Sequence, residues 1–142
     1  MSAKVQLPAP DFKATALIGE QFKEIKLSDY KGKYVLLYFY PLDFTFVCPT
    51  EIVAYDKLAQ DFEDRDAVLL TGSTDNEFCK VAWQNAHADL KKITHHQFAD
   101  TQRGELSLIE QLGVFYAPAG AALRATFIVD PENVIQIGRA HV

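Results

Sequence analysis

A single thiol stands in the stretch YPLDFTFVCPTE, Tyr40 to Glu51, between an apolar run that stops at Pro41 and a segment with helical spacing. In a C-x-x-C redox site the third residue after Cys48 would be a second cysteine that closes a disulfide; here it is Glu51. A cysteine at a strand-to-helix junction lies where α/β folds place their ligands, outside the carboxyl ends of strands. The unpaired N–H groups and dipole of the helix favour the thiolate, which is the reactive form. Ionisation alone is not enough. A thiol of pKa about 8.5 is already ~3% ionised at pH 7, so full ionisation gains about 30-fold at most, and part of that is lost as nucleophilicity falls with pKa. Enzymatic accelerations are about a million-fold or more, so hydrogen-bond donors must also surround the sulfur and stabilise the leaving atom. The hydroxyl of Thr45, three residues before Cys48, is one candidate donor, and a guanidinium from elsewhere in the chain is the other. The plain alternative for a lone cysteine is a small, buried, inert apolar group.

The elements that must position this thiol are legible in outline. DFKATALIG and QFKEIKLSDY alternate apolar and polar residues loosely around Gly19, as a hairpin would. KYVLLYFY, Lys33 to Tyr40, is a continuous apolar and aromatic run, the pattern of a strand buried on both faces. From Pro49 to about Asp64, Ile52, Tyr55, Leu58, Ala59 and Phe62 predict one helix with Cys48 at its positive end. DAVLLTGS reads as a second buried strand. Thr74 and Glu77 fit a capping box that opens a helix through FCKVAWQNAH. ITHHQFAD predicts a third strand, GELSLIEQLG a short helix ended by Gly113, and ALRATFIVD a fourth strand that turns at DPEN into VIQI. Strands alternating with helices, closed by a hairpin, describe an α/β sandwich with a central mixed sheet flanked by helices, and a thioredoxin-like arrangement fits that order.

Composition narrows the function classes. The 142 residues fit one domain, residues 1–142, and 49% hydrophobic with 23% charged residues is the balance of an ordinary folded protein. A formal charge of -5 argues against a general nucleic-acid binder, which needs a cationic face. No apolar run reaches the roughly 18 residues of a membrane span, and MSAKVQLPAPDF has no signal-peptide core, so the expected address is cytoplasmic. Two cysteines, Cys48 and Cys79, are too few for a disulfide framework. His95 and His96 would point to opposite faces of a strand and so would not chelate one ion together. Neither a metal spacing nor a glycine-rich phosphate loop is present, and no cofactor is expected.

Pro41, Thr45 and Cys48 stand at the spacing P-x-x-x-T-x-x-C, and FYPLDFTFVCPTE as a whole resembles the active-site loop of peroxiredoxins, in the typical two-cysteine and bacterial alkyl hydroperoxide reductase branch. The resemblance runs on through STDNEFCKVAW, LGVFYAPAGAALRATFIVDPENVIQ and the opening PAPDFKATAL, and it covers residues 5–137. It implies that Cys48 is the peroxidatic cysteine, attacking a hydroperoxide and becoming a sulfenic acid. By the same resemblance Thr45 contacts sulfur and peroxide, Pro41 shields the site from water, and Arg124 approaches thiolate and peroxide from another strand. Glu51 would orient that arginine, which answers why position 51 is not a cysteine: a carboxylate fixes a guanidinium fork by charge-assisted hydrogen bonds. Without the resemblance, Arg124 reads as a solvated charge and Glu51 as a first-turn acid favoured by the helix dipole.

The implied partners are hydrogen peroxide and organic hydroperoxides as substrates, a thioredoxin-type or flavoprotein disulfide reductase as electron donor, and a second copy in a homodimer, with a ring of dimers for the full-length form. The resemblance stops near Ile137, whereas typical two-cysteine relatives continue through another strand, a helix and a resolving cysteine; a C-terminal truncation is therefore expected. Cys79, within a helical pattern, is expected to be structural, Trp83, Phe44 and Phe46 to pack around the site, and Tyr116 with APAGAAL to serve an interface. Two other function classes stay open: a thiol–disulfide oxidoreductase on the same fold, and a non-enzymatic oligomeric holdase.

Overall fold

The alternation of strand residues builds a seven-stranded mixed sheet in the order Gln21–Lys26, Lys13–Ile18, His96–Ala99, Ala67–Ser73, Tyr34–Phe39, Arg124–Val129, Ile135–His141. The computed structural model describes residues 5–44, 48–103 and 107–141, without the side chains of 48, 140 and 141. Its strands are β1 (Lys13–Ile18), β2 (Gln21–Lys26), β3 (Tyr34–Phe39), β4 (Ala67–Ser73), β5 (His96–Ala99), β8 (Arg124–Val129) and β9 (Ile135–His141). The short pair β6 (Phe115–Tyr116) and β7 (Ala121–Ala122) lies apart from that sheet. Helices α1 (Cys48–Asp56), α2 (Ala59–Asp64), α3 (Glu77–Ala86) and α4 (Leu108–Gln111) fill the connections. Strands β3, β4 and β5 run parallel, as the helical crossovers between them require, while β1/β2, β1/β5, β3/β8 and β8/β9 are antiparallel. The hairpin around Gly19 and the one through DPEN form as the sequence predicts, Gly19 supplying a φ of 63° at its turn.

Successive residues of β3 point to opposite faces of the sheet. Val35, Leu37 and Phe39 enter a large apolar cluster with Phe12, Leu70, Phe98, Phe127 and Val129, closed by Leu108, Ile109 and Leu112 of the α4 region. Tyr38 and Tyr40 enter a smaller cluster with Ile52 of α1, Trp83 of α3, Leu90 and Ile93, against which Leu36 packs. Gly72 of β4 allows the closest approach within the large cluster: a Cβ there would lie 2.4 Å from the Phe98 ring.

Two local expectations are corrected. The single helix expected from Pro49 to Asp64 is two helices broken at Lys57 and Leu58. Leu58, counted with the apolar face, is exposed, and α2 buries no residue, so nothing holds it in line with α1. The expected Thr74–Glu77 capping box is replaced by Asn76, whose side chain accepts the N–H of Cys79 at 2.8 Å. No helix among the described residues is long and apolar enough to cross a membrane.

Candidate active site

Helix α1 begins at residue 48, so the positive end of its dipole lies at the position of the cysteine. One turn further on stands Glu51. Its carboxylate is held at both oxygens: Oε1 accepts from Arg124 Nε at 2.7 Å, and Oε2 accepts from the hydroxyl of Tyr38. Arg124 opens β8 and Tyr38 lies on β3, paired with Thr126 across the antiparallel ladder. Arg124 and Thr126, two residues apart, share a face of β8 with Tyr38, which is the face that α1 covers. The Tyr55 ring of α1 packs at a tilt against Tyr38 with centroids 4.8 Å apart, and its hydroxyl meets Thr126 Oγ1 at 3.3 Å. The side chains of Arg124 and Glu51 are 32% and 27% exposed, so solvent reaches the pair. Tyr38 is buried, and burial first, then its bond to Glu51, drives its phenol far above the ordinary value; it donates to the carboxylate as a neutral hydroxyl.

Of the five sequence-predicted site residues, Glu51 and Arg124 are brought into direct contact. Pro41 is half-buried directly after Tyr40. Thr45 and the side chain of Cys48 lie outside the described residues, as do Phe46 and residues 104–106 of the segment read as GELSLIEQLG. Trp83 is buried and packs on Tyr40 and on Phe44, with centroids 5.9 and 6.0 Å apart. Tyr116 is exposed.

Sequence reading missed the polar groups under the loop. Asp43, in the midst of PLDFTF, and Lys80 of α3 form an ion pair of 3.3 Å with both side chains fully buried. The available signal was a charged residue at helical spacing from Trp83, on the side of α3 that faces the sheet. Tyr38 had a signal too, since Tyr38 and Tyr40 alternate with apolar residues at the end of the run Lys33 to Tyr40. At the far end of α1, Asp56 accepts from the backbone N–H of Thr94 and His95 and from His95 Nδ1, the last at 2.7 Å. Burial alone would raise this carboxyl, but those bonds bring it down to about 2. His95 also meets Thr71 at 3.1 Å, whereas His96 turns to Tyr30 at 3.2 Å, the opposite-face arrangement expected of them. Among the described residues no three His, Cys, Asp or Glu come together as metal ligands.

Cys79 is half-buried, and burial, then the charges of Asp43 and Asp75, push its thiol up to about 11. A thiol raised in this way is disfavoured as a nucleophile.

Known proteins share this arrangement of chain and fold. Residues 5–137 match the AhpC/TSA family. The chain belongs to that family, the peroxiredoxins. Peroxiredoxin-2 of Pongo abelii is 46% identical over 138 residues, which span 95% of this chain and 76% of the relative. Among solved structures, Mycobacterium bovis AhpC superimposes with a TM-score of 0.91 at 38% identity, covering 100% of this chain and 84% of that one. Plasmodium yoelii thioredoxin peroxidase I gives a TM-score of 0.88 at 39% identity, covering 97% and 80%. This peroxiredoxin, of the typical two-cysteine kind, therefore has the thioredoxin-like fold and is a thiol-dependent peroxidase of antioxidant defence.

Proposed function

We propose that Cys48 is the peroxidatic thiol and that Arg124, oriented by Glu51, is its cationic partner. The thiolate attacks the terminal oxygen of a hydroperoxide, an S–O bond forms as the O–O bond breaks, and the departing oxygen takes a proton and leaves as water or an alcohol. The product is a sulfenic acid at Cys48. Charge moves from sulfur to the leaving oxygen, so a preorganised guanidinium stabilises the transition state more than the ground state. Thr45 supplies a hydroxyl donor to sulfur and peroxide, and Pro41, which has no N–H of its own, shields the site from water. The observation that carries this reading is the 2.7 Å contact of Arg124 with Glu51, one turn along α1 from Cys48.

Hydrogen peroxide and organic hydroperoxides are the proposed substrates, with no bound cofactor, because thiolate and guanidinium together suffice for the two-electron step. Two electrons from an external thiol donor return the sulfenic acid to the thiol; the Plasmodium relative, described as a thioredoxin peroxidase, supports a thioredoxin-type donor, and a flavoprotein disulfide reductase would serve the same chemistry. A homodimer is the proposed assembly, supported by β9 at the margin of the sheet with Ile137 52% exposed on it. The cytosol is the proposed compartment, in keeping with only two cysteines. Stopped-flow mixing of reduced protein with hydrogen peroxide tests the central claim: Cys48→Ser should consume no peroxide, and consumption at the unmodified rate would refute it.

A further inference from the structure

Asp43, in the chain that leads from β3 toward Cys48, is held by a buried ionic cluster that the reaction itself does not use. Lys80 Nζ donates to Ser73 Oγ at 2.7 Å, to Tyr40 Oη at 3.0 Å and to the two oxygens of Asp43 at 3.3 and 3.4 Å. Tyr40 in turn donates its hydroxyl to Asp43 Oδ1 at 2.6 Å. The backbone N–H of Asp43 donates to Asp75 Oδ2 at 2.7 Å, and the Ser73 hydroxyl lies 3.2 Å from an oxygen of each carboxylate, with one proton to give to either. The end of β3, the end of β4, the β4–α3 connection and the middle of α3 thus all converge on one loop residue, five positions before Cys48.

Stability alone does not explain this construction. Replacing a fully buried ion pair by apolar groups of similar volume is often neutral or favourable, whereas removing one partner leaves a charge without compensation. What such a pair supplies is a single permitted geometry, since Asp43 cannot leave its place without stranding Lys80. The residue after Asp43 needs that constraint: Phe44 sits at φ 59°, a left-handed conformation costly for an aromatic residue and held only where the surroundings impose it. Its ring lies against Trp83, three residues after Lys80 on the same helix.

We propose that Lys80 is a positioning residue for the peroxidase reaction, acting through Asp43 to latch the loop that delivers Cys48 to Arg124. The proposal rests on Cys48 being the nucleophile. Lys80 does not touch the reacting atoms; it fixes the approach of the chain to them.

The test compares the unmodified chain with Lys80→Met, Asp43→Asn and the double variant. Each is measured for its rate of oxidation by hydrogen peroxide, its rate of Cys48 alkylation by iodoacetamide and its thermal midpoint. Both single variants should react with peroxide at least tenfold more slowly while alkylation changes by less than threefold, because alkylation needs a thiolate but no aligned guanidinium. The double variant should regain most of the thermal midpoint and stay at least tenfold slow with peroxide. A purely structural role makes the rate recover along with stability, and that result, or a folded Asp43→Asn reacting at the unmodified rate, overturns the latch. If the variants do not fold, hydrogen exchange on the unmodified chain decides: the Asp43 amide should exchange as slowly as those of β4, and exchange at the rate of an open loop overturns the proposal. Cys48→Ser separates the two claims. If it still consumes peroxide, the nucleophile assignment fails and the latch with it; if it is inert and the latch variants are fast, only the latch fails.

Discussion

The two faces of the central sheet are built from the same strands and do different work. On one, Val35, Leu37 and Phe39 of β3 meet Phe98, Phe127 and Leu70 in a cluster of hydrocarbon, with Phe39 edge-on to both other rings. On the other, three tyrosines carry their hydroxyls to polar partners: Tyr38 to Glu51, Tyr40 to Asp43, Tyr55 to Thr126. The first face holds the fold together without direction, since apolar burial is not directional. The second uses hydrogen bonds, which specify angles and distances, and it is there that α1 and Arg124 meet. A phenylalanine and a tyrosine differ by one oxygen; on this sheet that oxygen separates packing from positioning.

The comparison is open to attack, beginning where the effect should be largest. Phe98→Ala, which empties a fully buried site on the apolar face, should cost about 3–5 kcal/mol of unfolding free energy, read from denaturant melts, while the peroxide rate of the molecules still folded stays within about twofold. A large loss of rate per folded molecule would show that the faces are not separable. Arg124→Met should do the reverse, lowering the rate constant for peroxide by about 100- to 1,000-fold, the scale of losing one preorganised donor, with a stability change below about 1 kcal/mol because the pair is partly exposed. Tyr38→Phe should lower the rate by about tenfold, in line with a hydrogen bond to a charged group, and leave the melting curve nearly unmoved because the ring remains. A rate equal to that of the unmodified chain would mean that Arg124 alone holds Glu51 in place.

The smallest effect is a matter of pH. Asp56 has a folded pKa of about 2 against an ordinary 3.8, so its bonds to Thr94 and His95 stabilise the fold fully above about pH 4 and cease to do so as pH falls toward 2. Asp56→Asn should therefore flatten the acid limb of the stability curve in that window, with no change in slope above about pH 5. An unaltered acid limb would place the acid sensitivity elsewhere.

The strands were legible because their apolar residues run continuously or alternate, which is a local property, and the loop was legible because Pro41, Thr45, Cys48 and Glu51 lie within one short segment. The break at Leu58 was not, because helical spacing counts apolar residues without knowing whether a neighbour will cover them; Leu58 finds none. The cap at Asn76 was missed for a similar reason: Thr74 and Asn76 are both good capping residues, and the choice between them was made by Asp75, which is drawn toward Ser73 and Asp43.

By itself, the sequence determined the order of the main strands and helices and the place of residue 48 at the start of a helix, since each is written in residues close together along the chain. The Glu51–Arg124 contact was expected from the family resemblance, whereas only the tertiary structure showed that Asp43 meets Lys80. Glu51 and Arg124 are far apart in the chain, as are Asp43 and Lys80, and the sequence contains other acids and bases of the same types. Their pairing follows from the parallel and antiparallel registers of β3, β4 and β8, which bring those few side chains to one face. Burial then makes the Asp43–Lys80 pair hard to exchange for another, because a charge that leaves its partner there has no water to receive it.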